Sequence, residues 1–276
     1  MKIALLQMTS SDVVERNLDV VLDAVVHAAG QGADWLLTPE VTNCLSASRS
    51  RQHDVLVAEA NDETLKSVRQ AARDQKINVL IGSLALKADD AGAPFVNRSV
   101  LVDRSGDVTA RYDKIHMFDV EISSTETYRE SAGYQPGSTA TLAMVEAVPV
   151  GLTICYDLRF PALFRTLAKT GAKVITVPSA FSPETGIAHW KPLLQARAIE
   201  NGCYIVAPAQ TGSHSAVEGR ARKTYGHSMV VGPWGEVILD AGTEPGVYFA
   251  ELDLSLVDDC RRRLPSLTHD RNFKGP

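Results

Sequence analysis

The sequence predicts an α/β fold: one domain of mixed β-sheets with helices on their outer faces. Three observations predict it. Apolar runs of strand length alternate with amphipathic helical patterns through both halves of the chain. No linker, internal repeat or low-complexity stretch interrupts it. And 276 residues, 45% of them apolar, suffice for one large core, while four cysteines are too sparse to form a disulfide scaffold.

The elements follow in order. Ile3 to Gln7 is a short apolar run, read as a buried strand. Leu18, Val21, Leu22, Val25 and Ala29 recur at helical spacing and stop at Gly30, a C-cap residue. Trp35-Leu36-Leu37 is a second strand, ended by Pro39 and Glu40. Asn61 caps a helix running to about Gln75, and Ile77 to Leu86 is a third strand. Arg98 to Val102 and Val108 to Tyr112 form a hairpin through Arg104-Ser105-Gly106-Asp107. The polar stretch from Asp119 to Gly137 has no period and reads as a long loop, a length associated with function. In the second half, Val148 to Cys155 is a strand, followed by a helix from about Phe160 to Thr170 and a strand from Val174 to Pro178. Ile187, Trp190, Leu194 and Ala198 share one face of a further helix. Strands over Cys203–Ala207, Ser228–Val231, Val237–Asp240 and Val247–Leu252 complete the domain, with a turn at Gly232-Pro233-Trp234-Gly235.

Composition excludes several classes. A net charge of −5 leaves no general cationic surface for nucleic acid, and Arg261-Arg262-Arg263 reads as a solvated helix end. Uncharged apolar runs stay too short to span a membrane, and Met1 to Gln7 is too short for a signal-peptide core. The expected compartment is a reducing cytoplasm with all four thiols free, and the sequon Asn97-Arg98-Ser99 is then fortuitous. Glycine-rich phosphate loops, His-Glu-x-x-His and Cys-x-x-Cys are absent, so neither a cofactor nor a metal is expected.

Three residues stand at element ends where chemistry is often placed. Cys155 closes an apolar strand just before a helix, whose free N–H groups can stabilise a thiolate and then an oxyanion. Glu40 follows Leu36-Leu37-Thr38-Pro39 and can serve as a general base. Lys114 ends the hairpin and can meet a developing negative charge. Taken singly, each has a plainer reading: a small buried thiol, a solvated loop carboxylate, and an exposed lysine paired with Asp113.

Together they form a pattern. Thr-Pro-Glu40, Tyr-Asp-Lys114-Ile-His and Leu-Thr-Ile-Cys155-Tyr-Asp-Leu-Arg-Phe-Pro resemble the nitrilase superfamily of carbon–nitrogen hydrolases. The resemblance runs from Ile3 to about Leu264 and includes Pro178-Ser179-Ala180-Phe181, Arg197-Ala198-Ile199-Glu200 and Tyr225-Gly226-His227-Ser228-Met229. Thr38 departs from the apolar residue that many members carry there, with the carboxylate intact. The resemblance implies a four-layer αββα sandwich over residues 1–264, a tail over 265–276, and association through helices into a homodimer or larger homo-oligomer. It implies that Cys155 attacks an amide carbonyl as a thiolate, that Glu40 takes and returns the proton, and that Lys114 and the Tyr156 N–H hold the oxyanion. Glu130 matches a second glutamate of the site, positioning Lys114 or the substrate. The blocks around Lys114, Glu130 and His189 resemble the branch of deaminated glutathione amidases and omega-amidases, with Ala209 to His214 closer to the former. The implied partner is a small anionic amide, with Tyr156, Arg159, Phe181, Thr185 and His189 as substrate-binding candidates. Other amide or carbamoyl substrates, a non-catalytic binding protein and a redox-sensing Cys155 remain open alternatives.

Overall fold

A computed structural model describes residues 1–88, 94–123 (the Ser123 side chain aside) and 126–276. The first half runs β1 (Lys2–Gln7), α1 (Val14–Gly30), β2 (Trp35–Leu37), α2 (Arg49–Val55), α3 (Glu63–Gln75), β3 (Asn78–Lys87), β4 (Phe95–Val102) and β5 (Val108–Asp113). A hairpin of β6 (Asp119–Ser123) and β7 (Glu126–Arg129) leads to β8 (Thr141–Val145), β9 (Val148–Leu152), α4 (Pro161–Lys169), β10 (Val174–Thr176), α5 (Pro183–Asn201) and β11 (Tyr204–Ala207). A second hairpin, β12 (Thr211–His214) and β13 (Arg222–Tyr225), precedes β14 (Met229–Val231), β15 (Val237–Asp240), β16 (Gly246–Glu251) and α6 (Ser255–Arg263).

Two six-stranded sheets result, in the orders β16-β1-β2-β3-β4-β5 and β15-β14-β11-β10-β9-β8. Their plans match. β1, β2 and β3 run parallel, as do β9, β10 and β11, and the flanking strands are antiparallel. Parallel neighbours require a crossover connection, and α1, α3, α4 and α5 supply them. Each sheet thus has one face under its own helices and one face bare, and the bare faces pack together. The period-2 burial records this. Ile3 and Leu5 of β1 join a core with Ala143, Val150 and Leu152 of the other sheet. Ala4 and Leu6 pack instead against Val21, Val25 and Val68 under α1 and α3. The architecture is the four-layer αββα sandwich.

Several local expectations need correction. The polar stretch after Asp119 is not one loop: it pairs as β6 and β7 and then makes a short 3₁₀ turn, Glu130–Ala132, with residues 124 and 125 outside those described. Asp62, not Asn61, caps α3, its Oδ1 accepting from the Leu65 N–H at 2.8 Å. Gly30 is the last residue of α1, and Gln31 is its C-cap. Ile187 is 75% exposed, because the first turn of α5 turns Gly186 inward against the Tyr225 ring. Among the described residues no helix is long and apolar enough to cross a membrane.

Candidate active site

Three strand ends converge at one edge of the sandwich. Glu40 lies three residues beyond β2, Lys114 directly follows β5, and Cys155 follows β9. Ligand sites of α/β sheets form at the carboxyl ends of strands, where loops from neighbouring strands meet.

Each residue is fixed by its own stretch of backbone. The Glu40 loop is tied down by Thr38, whose hydroxyl accepts from the Gly82 N–H at 3.0 Å and meets Thr42 Oγ1 at 2.7 Å. That use of a hydroxyl explains why a polar residue serves at this buried position. Gly82 itself admits no side chain, since a Cβ would stand 1.9 Å from the Thr38 carbonyl oxygen and 2.6 Å from Pro178 Cβ. The Glu40 carbonyl accepts from Gln210 Nε2 at 3.0 Å. Lys114 is anchored to β4 through its N–H, donated to the Asn97 carbonyl at 3.0 Å. Its expected partner Asp113 is engaged elsewhere, paired with Arg98 at 2.7 Å.

Cys155 opens a 3₁₀ turn, Cys155–Arg159, in a left-handed conformation with φ of 47°. A non-glycine residue there stores about 1–3 kcal/mol of strain and persists only where its surroundings over-determine it. Here they do. The Cys155 N–H donates to the Pro178 carbonyl at 3.0 Å. Asp157, fully buried, accepts from the Ile154 N–H at 2.9 Å, Tyr112 Oη at 2.7 Å and the His116 N–H at 3.1 Å, and meets His116 Nδ1 at 2.6 Å. One carboxylate therefore joins the nucleophile's turn to the loop after Lys114. His116 also stacks on Phe160 at 3.5 Å.

The functional groups form a dense cluster. Lys114 Nζ donates to Glu40 Oε1 at 2.8 Å and to both oxygens of Glu130 at 3.0 and 2.9 Å. Glu40 Oε2 accepts from the Ala180 N–H at 2.9 Å, and Glu130 Oε2 from the Phe118 N–H at 2.6 Å. Burial raises the Glu40 pKa, but the adjacent Lys114 ammonium outweighs it and holds the carboxyl below its usual range. Burial opposes charge on Lys114 as well, yet Glu130 and Glu40 push its pKa well above the ordinary lysine value. Burial drives the Cys155 thiol up, and the Glu40 charge adds to it. The resting site therefore holds an ionised Glu40, an ammonium and a neutral thiol. The segment that Cys155 opens is a five-residue 3₁₀ turn rather than the start of a longer helix.

These groups lie in a cavity of about 750 Å³. Of the residues expected to touch substrate, Tyr156, Phe181 and Thr185 line it. Arg159 and His189 do not line it. Arg159 Nη2 meets His189 Nδ1 at 3.2 Å, and its guanidinium lies 5.9 and 5.6 Å from the Tyr156 and Phe181 rings, bracing two wall residues from outside. The cations that do line the cavity are Arg49, Arg129, Arg220, Arg222 and Lys223, against Glu126 and Glu184 beyond the central cluster. Sequence reasoning missed them. Arg220-Ala221-Arg222-Lys223 was visible as a charge run, whereas Arg49 and Arg129 carried no local signal. Asn97 was passed over as part of a sequon. Trp190 and His227 are packing partners: the buried Trp190 donates Nε1 to the His227 carbonyl at 2.8 Å. The other cysteines are buried free thiols. Among the described residues no group of three or more His, Cys, Asp and Glu side chains stands where it could hold a metal ion.

Fold and site define a class: an enzyme that hydrolyses carbon–nitrogen bonds. The carbon–nitrogen hydrolase family model matches residues 2–262, and the chain belongs to that family. Across 98% of its length it is 38% identical to the nitrilase and fragile histidine triad fusion protein NitFhit of Caenorhabditis elegans, spanning only 60% of that longer protein. The crystal structure of NitFhit superposes with a TM-score of 0.89, over 98% of this chain and 65% of that one. The chain is also 38% identical, over 98% of its length and 92% of the relative's, to a Yersinia enterocolitica protein named deaminated glutathione amidase. An amidase from Nesterenkonia sp. AN1, 30% identical with a TM-score of 0.77 over 96% of this chain and 98% of that one, has been captured with acrylamide added at its active-site cysteine.

Proposed function

We propose that the chain cleaves the amide bond of a small keto-dicarboxylate amide through a thioester on Cys155, and that its substrate is deaminated glutathione, split into 2-oxoglutarate and cysteinylglycine. The observation that carries this reading is the largely buried Glu40–Lys114–Glu130 cluster beside Cys155 at one cavity. The cavity's charge supports an anionic substrate: five cations against two carboxylates outside the cluster, in a chain whose net charge is −5. The relatives named deaminated glutathione amidase supply the particular compound.

The chemistry follows from the protonation states. Glu40, ionised, takes the thiol proton as sulfur bonds to the amide carbon. The carbonyl oxygen becomes an oxyanion, and Lys114 and the Tyr156 N–H stabilise it. Lys114 Nζ already spends two contacts on Glu130. One of them is released to the oxyanion, while the other keeps the ammonium in place. Glu40 returns the proton to the leaving nitrogen, the C–N bond breaks, and the amine departs from the thioester. Glu40 then takes a proton from water, whose hydroxide adds to the thioester carbon; the C–S bond breaks, the acid is released, and Glu40 returns the proton to the Cys155 sulfur.

Comparing kcat/KM on deaminated glutathione and 2-oxoglutaramate tests the substrate. The larger value is expected for deaminated glutathione; the reverse makes the chain an omega-amidase, and no turnover of either refutes the reading. The chain is further proposed to act in the cytoplasm as a homodimer or larger homo-oligomer associated through its outer helices. Light scattering on the purified protein tests the assembly, with a monomeric mass counting against it.

A further inference from the structure

Asn97 is a buried polar side chain that the chemistry above leaves unused. It sits within β4, 2% exposed, a position no glycan could reach. Its Nδ2 donates to Glu40 Oε1 at 2.9 Å and to Glu130 Oε1 at 3.4 Å. Its Oδ1 is buried without a partner. A buried acceptor left unpaired is costly, so the side chain is oriented by its NH₂ end alone. Only a donor fits between two carboxylate oxygens, and a neutral amide brings two N–H groups without adding a charge.

We propose that Asn97 is a positioning residue for the hydrolysis, a donor wedge that holds the carboxylates of Glu40 and Glu130 in register around Lys114 and keeps Glu40 ready to accept a proton. The inference rests on the reading of Glu40 as general base. Two carboxylates sharing one ammonium repel, and repulsion is relieved most simply by protonating one of them. Lys114 divides its contacts between the two. Asn97 adds a second donor to Glu40 Oε1, the oxygen that Lys114 also holds, and ties it to Glu130. Among the described residues, Lys114 and Asn97 are the side chains that donate to both carboxylates. Around Glu40 stand Lys114 after β5, Cys155 after β9 and Arg222 on β13, with Tyr134 and Glu130 beyond β7. The proton on Cys155 is the one to be transferred, and Arg222 Nη2 is bound to the Ala180 carbonyl at 2.7 Å.

Removing the donor raises the Glu40 pKa, so the ionised base is lost at a higher pH. Asn97→Leu keeps the size of the side chain and removes both N–H groups; Asn97→Ser, too short to bridge the carboxylates, serves should the leucine variant fail to melt cooperatively. The probe is iodoacetamide alkylation of Cys155, followed by mass spectrometry against pH, which requires no substrate. Amide turnover is measured in parallel. The expected result is an acid limb moved up by about one pH unit, a kcat lower by about 10–100-fold and a KM within about threefold of the parent. An unmoved alkylation limb in a folded variant overturns the inference, whatever happens to the rate. Failure of the unsubstituted protein to hydrolyse any amide would instead sink the proposed function, and the alkylation result would still decide the role of Asn97.

Discussion

Replacing Asp157 with alanine perturbs the turn that presents the nucleophile while leaving Cys155, Glu40 and Lys114 in place. Asp157 is fully buried and serves two fully or nearly buried donors, Tyr112 Oη and the Ile154 N–H. Each left unpaired costs about 1–3 kcal/mol, so the two together cost about 2–6 kcal/mol. The third partner, His116, is 25% exposed along its side chain and can turn to water, so it adds little. Relaxation of Cys155 from its φ of 47° returns some of the roughly 1–3 kcal/mol of strain. That relief also moves the sulfur off its line to the substrate, and misplacement by an ångström lowers turnover by about 10²-fold. Urea unfolding followed by circular dichroism, with turnover measured on the same samples, checks both figures. A stability loss under about 1 kcal/mol together with turnover within about threefold of the parent would refute the idea that Asp157 holds the turn.

Three other outcomes follow from the same geometry. Gly82→Ala drives a Cβ against the Thr38 carbonyl and Pro178, which belong to the backbones positioning Glu40 and Cys155, and should cost about 3 kcal/mol or more in urea unfolding. Arg129→Ala, at an exposed cation lining the cavity, should raise KM for an anionic amide about tenfold and leave a neutral amide within about twofold, read from initial rates. Glu40 works as a base only when ionised, and Lys114 lowers its pKa, so ionisation persists to more acidic conditions than for a free carboxyl. The acid limb of kcat/KM is therefore expected below pH 4.5, the ordinary carboxyl value, and a limb near neutrality would contradict it.

The legible parts of the fold were those with a buried face. The runs at Ile3, Trp35 and Val174 read as strands because parallel strands under helices are apolar on both sides. β6 and β7 escaped because their described side chains, Asp119 to Ile122 and Glu126 to Arg129, are all half-exposed or exposed, so no buried apolar period marks them. β8 escaped for the opposite reason: in Thr141-Leu-Ala-Met-Val145, Leu142 and Met144 are exposed yet apolar, which hides the alternation. In the site, Glu40, Lys114 and Cys155 were weak signals singly and became strong only as an ordered set. Asp157 and Asn97 were not legible, since their roles depend on partners 45 and 57 residues away in sequence. Arg159 and His189 stand outside the cavity lining although the sequence singled them out, because proximity in sequence to Cys155 and to the 178–190 block does not say which side of the wall a side chain occupies.

The central claim is that Cys155 carries the acyl group, and one measurement meets it directly. The enzyme is mixed with deaminated glutathione, quenched in acid within its first turnovers, and digested for mass spectrometry. A 2-oxoglutaryl thioester on the peptide containing Cys155, absent from Cys155→Ala, is the predicted result. Continued amide turnover by Cys155→Ala, with no adduct on the parent enzyme, would contradict it.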